Sequence, residues 1–314
     1  MDISFIIVNW NTKDLLRDCL NSIYKTAGDL AFEIIVVDNA SSDGSQEMLT
    51  TEYPQVRVIA NAENRGFGAA NNQGFVLMQG KYALLLNTDA VLTEGAVQKL
   101  WSFAVAHPRA AIVCGQLLNA DGSRQNSIAS FPTLLTLAVN ISLLEYLFPR
   151  LYPSKRYSHK APLEVDSAVG ACMLVTKRAL DEVSWFDERY FFFFEETDLA
   201  FAMKQDGWQV WQVPDAFIYH LQGQSIGHST RSRIEYYRSR YQFLSKWKSP
   251  ASYRLGCSII FVRLVLSWLI NFVGVVLTLG RAKKLRGREA VYRAILVWHF
   301  RRDSGNLPER ASKR

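Results

Sequence analysis

The strongest constraint on the fold is an alternation, through the first third of the chain, of short aliphatic runs with stretches of helical periodicity. Ile3–Val8 is one such run. Leu15, Leu16, Cys19, Leu20, Ile23 and Tyr24 then recur at helical spacing. Glu33–Asp38, Val56–Ala60, Ala83–Leu86 and Ala110–Gly115 repeat the strand pattern, and Ser42 or Asp43 is placed to cap the helix after the second run. Runs that are apolar at every position, not every second one, belong to strands covered on both faces. Separated by helices, they predict an α/β domain on a mostly parallel sheet flanked by helices. In such sheets ligands gather at the carboxyl ends of the strands. Those ends read Asn9-Trp10-Asn11, Asp38-Asn39 and Asn87-Thr88-Asp89. A carboxylate closing an apolar run is costly unless it is paired or holds a cation. Asp89 is therefore either a loop residue or a candidate ligand of a divalent metal.

Beyond residue 118 the pattern changes. Asn119–Ser123 contains Asp121-Gly122, a hairpin signal. Residues 131–153 are apolar with Pro interruptions and suggest a surface excursion. Val165–Val175 resumes strand character, Thr176 is placed to cap a helix reaching about Trp185, and a further helix over Glu195–Asp206 ends at Gly207. Trp208–Val213 reads as a strand leading to "PDAFIYH".

Three further stretches bear on chemistry. The loop "NAENRGFGAANNQG" (Asn61–Gly74) offers glycines for close backbone approach and Arg65 as a cation for phosphate or base. It is neither a Walker loop nor a G-x-G-x-x-G fingerprint. In "FFFFEETDL", four phenylalanines precede Glu195, Glu196 and Asp198. Carboxylates beside apolar surface tend to raised pKa values, which suits a general base. On a helix Glu195 and Asp198 share a face and Glu196 points elsewhere. The plainer alternative is acids in a first helical turn, favoured by the helix dipole. His220 follows the last strand and could join Asp89 as a metal ligand, or be a lone histidine.

Net charge is +7, from 36 Lys and Arg against 29 Asp and Glu, which suits an anionic partner. Charged residues make up 21% of the chain, too many for a polytopic membrane protein. The four cysteines are scattered without a C-x-x-C pair, so reduced thiols in a cytosolic setting are expected. No signal peptide is apparent ahead of "ISFIIV". Gly256–Gly280 is an apolar run interrupted by Arg263 and Asn271, and as a helix it spans about 37 Å. Basic residues flank it on both sides, Lys246, Lys248 and Arg254 before, Arg281, Lys283, Lys284, Arg286 and Arg288 after. With both flanks basic, a single-span orientation is undefined. A hairpin or an in-plane helix would keep both flanks on anionic lipid. A buried core helix is the alternative. Basic residues cluster beside this run and no recognition module is visible, so nucleic acid is not an expected partner.

The order and spacing of "SFIIVNWN", "IIVVDNASSDGS", "NRGFGAANNQG", "LLLNTDA", "GACMLVTKRAL", "FDERYFFFFEETDL", "GW" and "VPDAFIYH…GQS" resemble the family 2 inverting glycosyltransferases of GT-A fold, in their bacterial rhamnosyltransferase-like branch. The resemblance covers about residues 1–230 and implies a glycosyltransferase domain there, with a nucleotide-sugar half (1–118) and an acceptor half (119–230). A helical, membrane-associated region (231–314) follows. It implies that Val8, Asn9, Trp10, Asp38, Arg65 and Asn87 surround a nucleotide-sugar donor. Asp89 and His220 would hold Mg²⁺ or Mn²⁺ on the donor diphosphate. Glu196 would be the general base, with Glu195 and Asp198 beside it. The sugar implied is L-rhamnose from dTDP-L-rhamnose, and the acceptor a saccharide on a polyprenyl diphosphate, met at the cytoplasmic face of the cell membrane in cell-surface polysaccharide synthesis. Asn87 stands where relatives carry an acid, Glu196 where many have Asp, and Ala202 where Arg is frequent. Two rival readings are a sugar-nucleotide nucleotidyltransferase, which would need a Lys-bearing glycine loop after the first strand, and a non-catalytic membrane scaffold.

Overall fold

A computed structural model describes residues 1–155, 157, 159–221 and 230–302. The elements run β1 (Ile3–Asn9), α1 (Lys13–Thr26), β2 (Phe32–Asp38), α2 (Ser45–Glu52), β3 (Arg57–Ala60), α3 (Phe67–Leu77), β4 (Tyr82–Leu86), β5 (Ala90–Leu92), α4 (Ala96–Ala106) and β6 (Ala110–Leu118). Next come β7 (Ile128–Ala129), α5 (Leu134–Ala138), α6 (Ile141–Leu147), β8 (Leu163–Glu164), β9 (Ser167–Ala168), β10 (Cys172–Thr176), α7 (Lys177–Val183), α8 (Glu195–Gln205) and β11 (Gln209–His220). Three helices close the described chain: α9 (Thr230–Trp247), α10 (Pro250–Leu277) and α11 (Lys283–Arg302). Two compact units result, Met1–Phe131 with Glu145–Gly227, and Pro132–Leu144 with His228–Arg314.

The first unit is built on a nine-stranded sheet in the order β3-β2-β1-β4-β10-β6-β11-β5, with β8 paired to β11. β3, β2, β1 and β4 are parallel neighbours, and β6 pairs parallel with β11. β10 runs antiparallel between β4 and β6, so six of the nine strands share one direction. Alternate residues feed two cores. Phe5, Ile7, Ile34, Val36, Leu84 and Leu86 face one, with Leu16, Cys19, Leu20 and Ile23 of α1. Ile6, Ile35, Ala83 and Leu85 face the other, with Phe75 of α3 and Leu199 and Met203 of α8. Each fully buried Val, Leu, Ile, Phe or Met among them contributes about 1.5–3 kcal/mol. This two-sided burial is why the strands read as continuous apolar runs.

Three local expectations differ from the structure. Val165–Val175 is not one strand: a turn through Gly170 separates β9 from β10 and turns the chain into the slot between β4 and β6. α7 stops at Val183, because Ser184 and Trp185 both adopt left-handed backbone (φ 67°). The strand from Gln209 continues through Pro214 to His220. Pro214 is tolerated because the β6–β11 register jumps between Gln212 and Phe217, where no ladder N–H is required. The 131–153 segment holds α5 and α6 and leaves Tyr146, Phe148 and Leu151 exposed.

In the second unit, Leu137, Tyr241, Leu244, Ile260, Leu264 and Ile295 form a separate small core joining α5, α9, α10 and α11.

Candidate functional site

The carboxyl ends of β1 and β2 are joined by their own polar side chains. Parallel pairing sets Asn9 opposite Asp38. Asn9 Nδ2 donates to Asp38 Oδ1 (2.7 Å) and Ser41 Oγ (3.0 Å), and Asp38 Oδ2 accepts from Ser41 N (3.0 Å) and Gln46 Nε2 (2.7 Å). Both residues are fully buried, and these bonds offset the desolvation of the carboxylate. Thr12 Oγ1 donates to Asn9 Oδ1 (2.8 Å) and is hydrogen-bonded to Thr88 Oγ1 (2.9 Å), which ties this network to the β4–β5 turn. Trp10 is 46% exposed at the rim, Val8 is half-buried, and Arg65 is exposed, its guanidinium 3.8 Å from Glu188.

The β4–β5 turn, closed by Ala90 N donating to Asn87 O, carries Asp89. β5 pairs antiparallel with β11, so that Ala90 faces His220 and Leu221 N donates to Asp89 O. His220 Nε2 then lies 3.3 Å from Asp89 Oδ1, both side chains buried. Gln125 decides the ring's tautomer. Its Nε2 donates to the His220 carbonyl (2.5 Å), which turns its Oε1 toward His220 Nδ1 at 3.0 Å. Nδ1 must carry the proton, and neutral His220 presents a lone pair at Nε2 to a carboxylate. Asp89 Oδ1 has no hydrogen-bond partner among the described residues. Two buried acceptors facing each other need a cation between them or a proton on Nε2. Neighbouring ligands about 2.1 Å from an octahedral Mg²⁺ are about 3.0 Å apart, close to the separation seen. The pair fits a hard divalent cation completed by ligands from outside this cluster. Among the described residues no group of three His, Cys, Asp or Glu side chains forms a protein-only metal site. Asn87, half-buried on the same turn, adds an amide and not a third acid.

The acids of α8 sit behind a strained turn. Phe193 and Phe194 both have left-handed φ (69° and 70°), and Phe194 is the residue that starts the helix. Such conformations cost roughly 1–3 kcal/mol each and persist only where surrounding contacts fix them. The glycine loop holds the chain just ahead of that turn. Phe67 N donates to Phe191 O (3.1 Å), and a Cβ on Gly66 (φ 85°) would lie 2.4 Å from that carbonyl. The loop's glycines thus allow the close backbone approach expected of them, and what approaches is the phenylalanine turn. Glu195 and Asp198 are buried, and Tyr190 donates from its hydroxyl to Asp198 Oδ1 (3.1 Å). Glu196 is half-buried, and its Oε2 is shut off from solvent without a hydrogen-bond partner among the described residues. Burial pushes its carboxyl up to about 7, against the backbone N–H groups of Glu196 and Thr197, which favour the ionised form.

Gly170 links the two halves. A Cβ there would sit 4.0 Å from Glu196 Cβ, and the next residue, Ala171, accepts from Asn87 N (3.0 Å). Glu196 and the Asn87–Asp89 turn therefore flank the same pair of residues at one end of the sheet. Cavities of about 560 Å³ beside Lys81, Thr176 and Asp181, and of about 270 Å³ beside Arg150, Asp166 and Lys204, lie away from this end. Thr12, Gln125 and Gly170 were not singled out from the sequence, and Thr88 was read only as part of the Asn87–Asp89 strand end, because each acts only on a partner that the fold brings near. The Gly223-Gln224-Ser225 end of the last motif lies outside the described residues.

Comparison with known proteins identifies the family of the chain. Residues 4–184 match the family described as "Glycosyl transferase family 2". The chain is 28% identical over 253 residues to the N-acetylglucosaminyl-diphospho-decaprenol L-rhamnosyltransferase of Mycobacterium tuberculosis, covering 72% of this chain and 80% of that one. It is 24% identical over 225 residues to the low-salt glycan biosynthesis hexosyltransferase Agl10 of Haloferax volcanii, covering 70% and 67%. In fold it is similar to the mannosyltransferase PcManGT of Pyrobaculum calidifontis, solved with GDP-Man and Mn²⁺, at a TM-score of 0.56 and 14% identity over 96% of this chain and 86% of that one. With more than half its length matched and a GT-A-like sheet beneath the site, the chain belongs to glycosyl transferase family 2.

Proposed function

We propose that the protein transfers L-rhamnose, with inversion, from dTDP-L-rhamnose to a saccharide carried on a polyprenyl diphosphate, at the cytoplasmic face of the cell membrane. The sugar and the lipid-linked acceptor are supported by the M. tuberculosis relative's own activity. The apolar α10 supports a membrane setting. Trp10, Val8 and Arg65 line the donor side, held by the buried Asn9–Asp38 pair. Asp89 and His220 would hold Mg²⁺ or Mn²⁺, which when bound neutralises charge on the departing diphosphate. Glu196 accepts the acceptor hydroxyl proton at its carboxylate as that oxygen bonds to the anomeric carbon and the bond to the diphosphate oxygen breaks. Glu195 and Asp198, anchored in the core, fix the start of α8 and so the position of Glu196.

The observation that carries this reading is the buried, unbonded Glu196 Oε2 beside Gly170, whose neighbour Ala171 accepts from Asn87 N in the turn that carries Asp89. Glu196→Gln keeps the shape and removes the base. Transfer should fall by a factor of about 10²–10⁴ with donor affinity unchanged. Turnover at the wild-type rate would remove Glu196 from the chemistry.

A further inference from the structure

α10 and α11 form an antiparallel pair within the second unit. Gly274 packs against Leu285, Trp268 Nε1 donates to Glu289 Oε1 (2.9 Å), and the Phe261 ring lies 5.1 Å from His299 and 5.5 Å from Phe300. The pairing runs from Gly274 back to Phe261, about 20 Å of helix.

The two faces of α10 differ. Gly256, Ile260, Leu264 and Asn271 are buried, and Asn271 satisfies its amide on Ser267 O (2.7 Å). Opposite them Val262, Leu266, Leu269, Val273 and Val276 recur at spacings of three and four, so they share one face, and all are 41–55% exposed. The helix contains an 18-residue window of mean hydropathy 2.3, and only 11% of that window is buried. A core helix would be mostly buried, and an exposed stripe of this kind marks an interaction surface. The charge inside the apolar run, Arg263, is used internally, its Nη1 donating to the Leu137 carbonyl at the end of α5. α11 is the opposite in character. Lys283, Lys284, Arg286, Arg288 and Arg293 are exposed, and Glu289 pairs with Arg293 (3.3 Å).

We propose that the α10–α11 pair docks in the plane of an anionic bilayer, with the Val262–Val276 face of α10 among the acyl chains and the basic side chains of α11 among lipid phosphates. A span by α10 would draw its bound partner inward, placing Arg286, Arg288, Glu289 and Arg293 at hydrocarbon depth, where charged groups are rare and costly. An in-plane pair needs no buried charge, and its basic partner helix complements anionic headgroups. This docking does not depend on the sugar-transfer reading.

The test uses the full chain in two assays. In flotation, the protein should rise with phosphatidylcholine–phosphatidylglycerol vesicles and bind phosphatidylcholine alone at least roughly tenfold more weakly, with high salt weakening the bound state. Leu266→Ser with Val273→Ser should abolish the binding. Arg286→Gln, Arg288→Gln and Arg293→Gln together, all on the surface and without expected effect on the melting temperature, should weaken it by on the order of 100-fold. In cell membranes, alkaline carbonate should release the wild-type chain. Binding indifferent to lipid charge with retention after carbonate would establish a span and overturn the proposal. Absence of binding to either vesicle would overturn it as well.

Discussion

His220 Nε2 faces Asp89 Oδ1 across 3.3 Å, while Gln125 holds the other ring nitrogen at 3.0 Å. The residue on the far side of the ring thus fixes which nitrogen is offered to a cation, the usual part of an outer-shell partner. Gln125→Leu should lower Mn²⁺ affinity by about 10- to 100-fold without removing a ligand. Asp89→Ala should lower it further. Titration of free Mn²⁺ by electron paramagnetic resonance measures both, and equal affinity in wild type and Gln125→Leu would remove Gln125 from the site.

Activity should rise with pH. Burial raises the Glu196 carboxyl to about 7, and the base works only when ionised. Below that value kcat/KM should fall about tenfold per pH unit, and above it the profile should flatten. Retention of the acidic limb in Glu196→Gln would assign the titration to another group.

The same shift has the opposite sign for stability. The folded state holds this proton more tightly than the unfolded chain, whose carboxyl titrates near 4.5. Stability therefore falls as pH rises from about 4.5 through about 7, by at most about 3 kcal/mol. Glu196→Gln should melt above wild type at pH ~8 and match it at pH ~4. Calorimetry at the two values checks this, and a variant less stable at high pH would contradict it.

Gly66→Ala should damage the site from a distance. The added Cβ would meet the Phe191 carbonyl at 2.4 Å in a backbone conformation, φ 85°, that alanine disfavours. A loss of about 2 kcal/mol or more in urea unfolding is expected, with kcat lowered more than donor affinity because the turn before Glu196 shifts. An unchanged kcat would mean that the turn does not position the acid.

The Asn9–Asp38 pair should matter for folding. Asp38→Ala strands the buried donor on Asn9, while the exposed Gln46 amide turns to water, and should cost about 1–3 kcal/mol, read from the urea midpoint. A cost below about 0.5 kcal/mol would show that water replaces the carboxylate.

The sheet was legible in the sequence because strands buried on two faces are apolar along most of their length, as Phe5–Val8, Ile34–Val37 and Ala83–Leu86 show. Polar residues at the strand ends were legible for the same reason, as breaks in apolar runs. Their pairings were not. Asp89 meets His220 only because β11 doubles alongside β5, and Gln125 carries no signal of its own. The glycine loop was read for its freedom, yet what fills the space is a carbonyl more than a hundred residues away, at Phe191. β11 was harder still, since Pro214 argues against a strand until the register jump beside it is seen.

The most direct test of the central claim is pulsed electron paramagnetic resonance of Mn²⁺ bound to the protein with dTDP. The account predicts nitrogen modulation from one imidazole, abolished in His220→Gln with Mn²⁺ still bound through the nucleotide. No imidazole nitrogen in the wild-type spectrum, or the same modulation in His220→Gln, would contradict it.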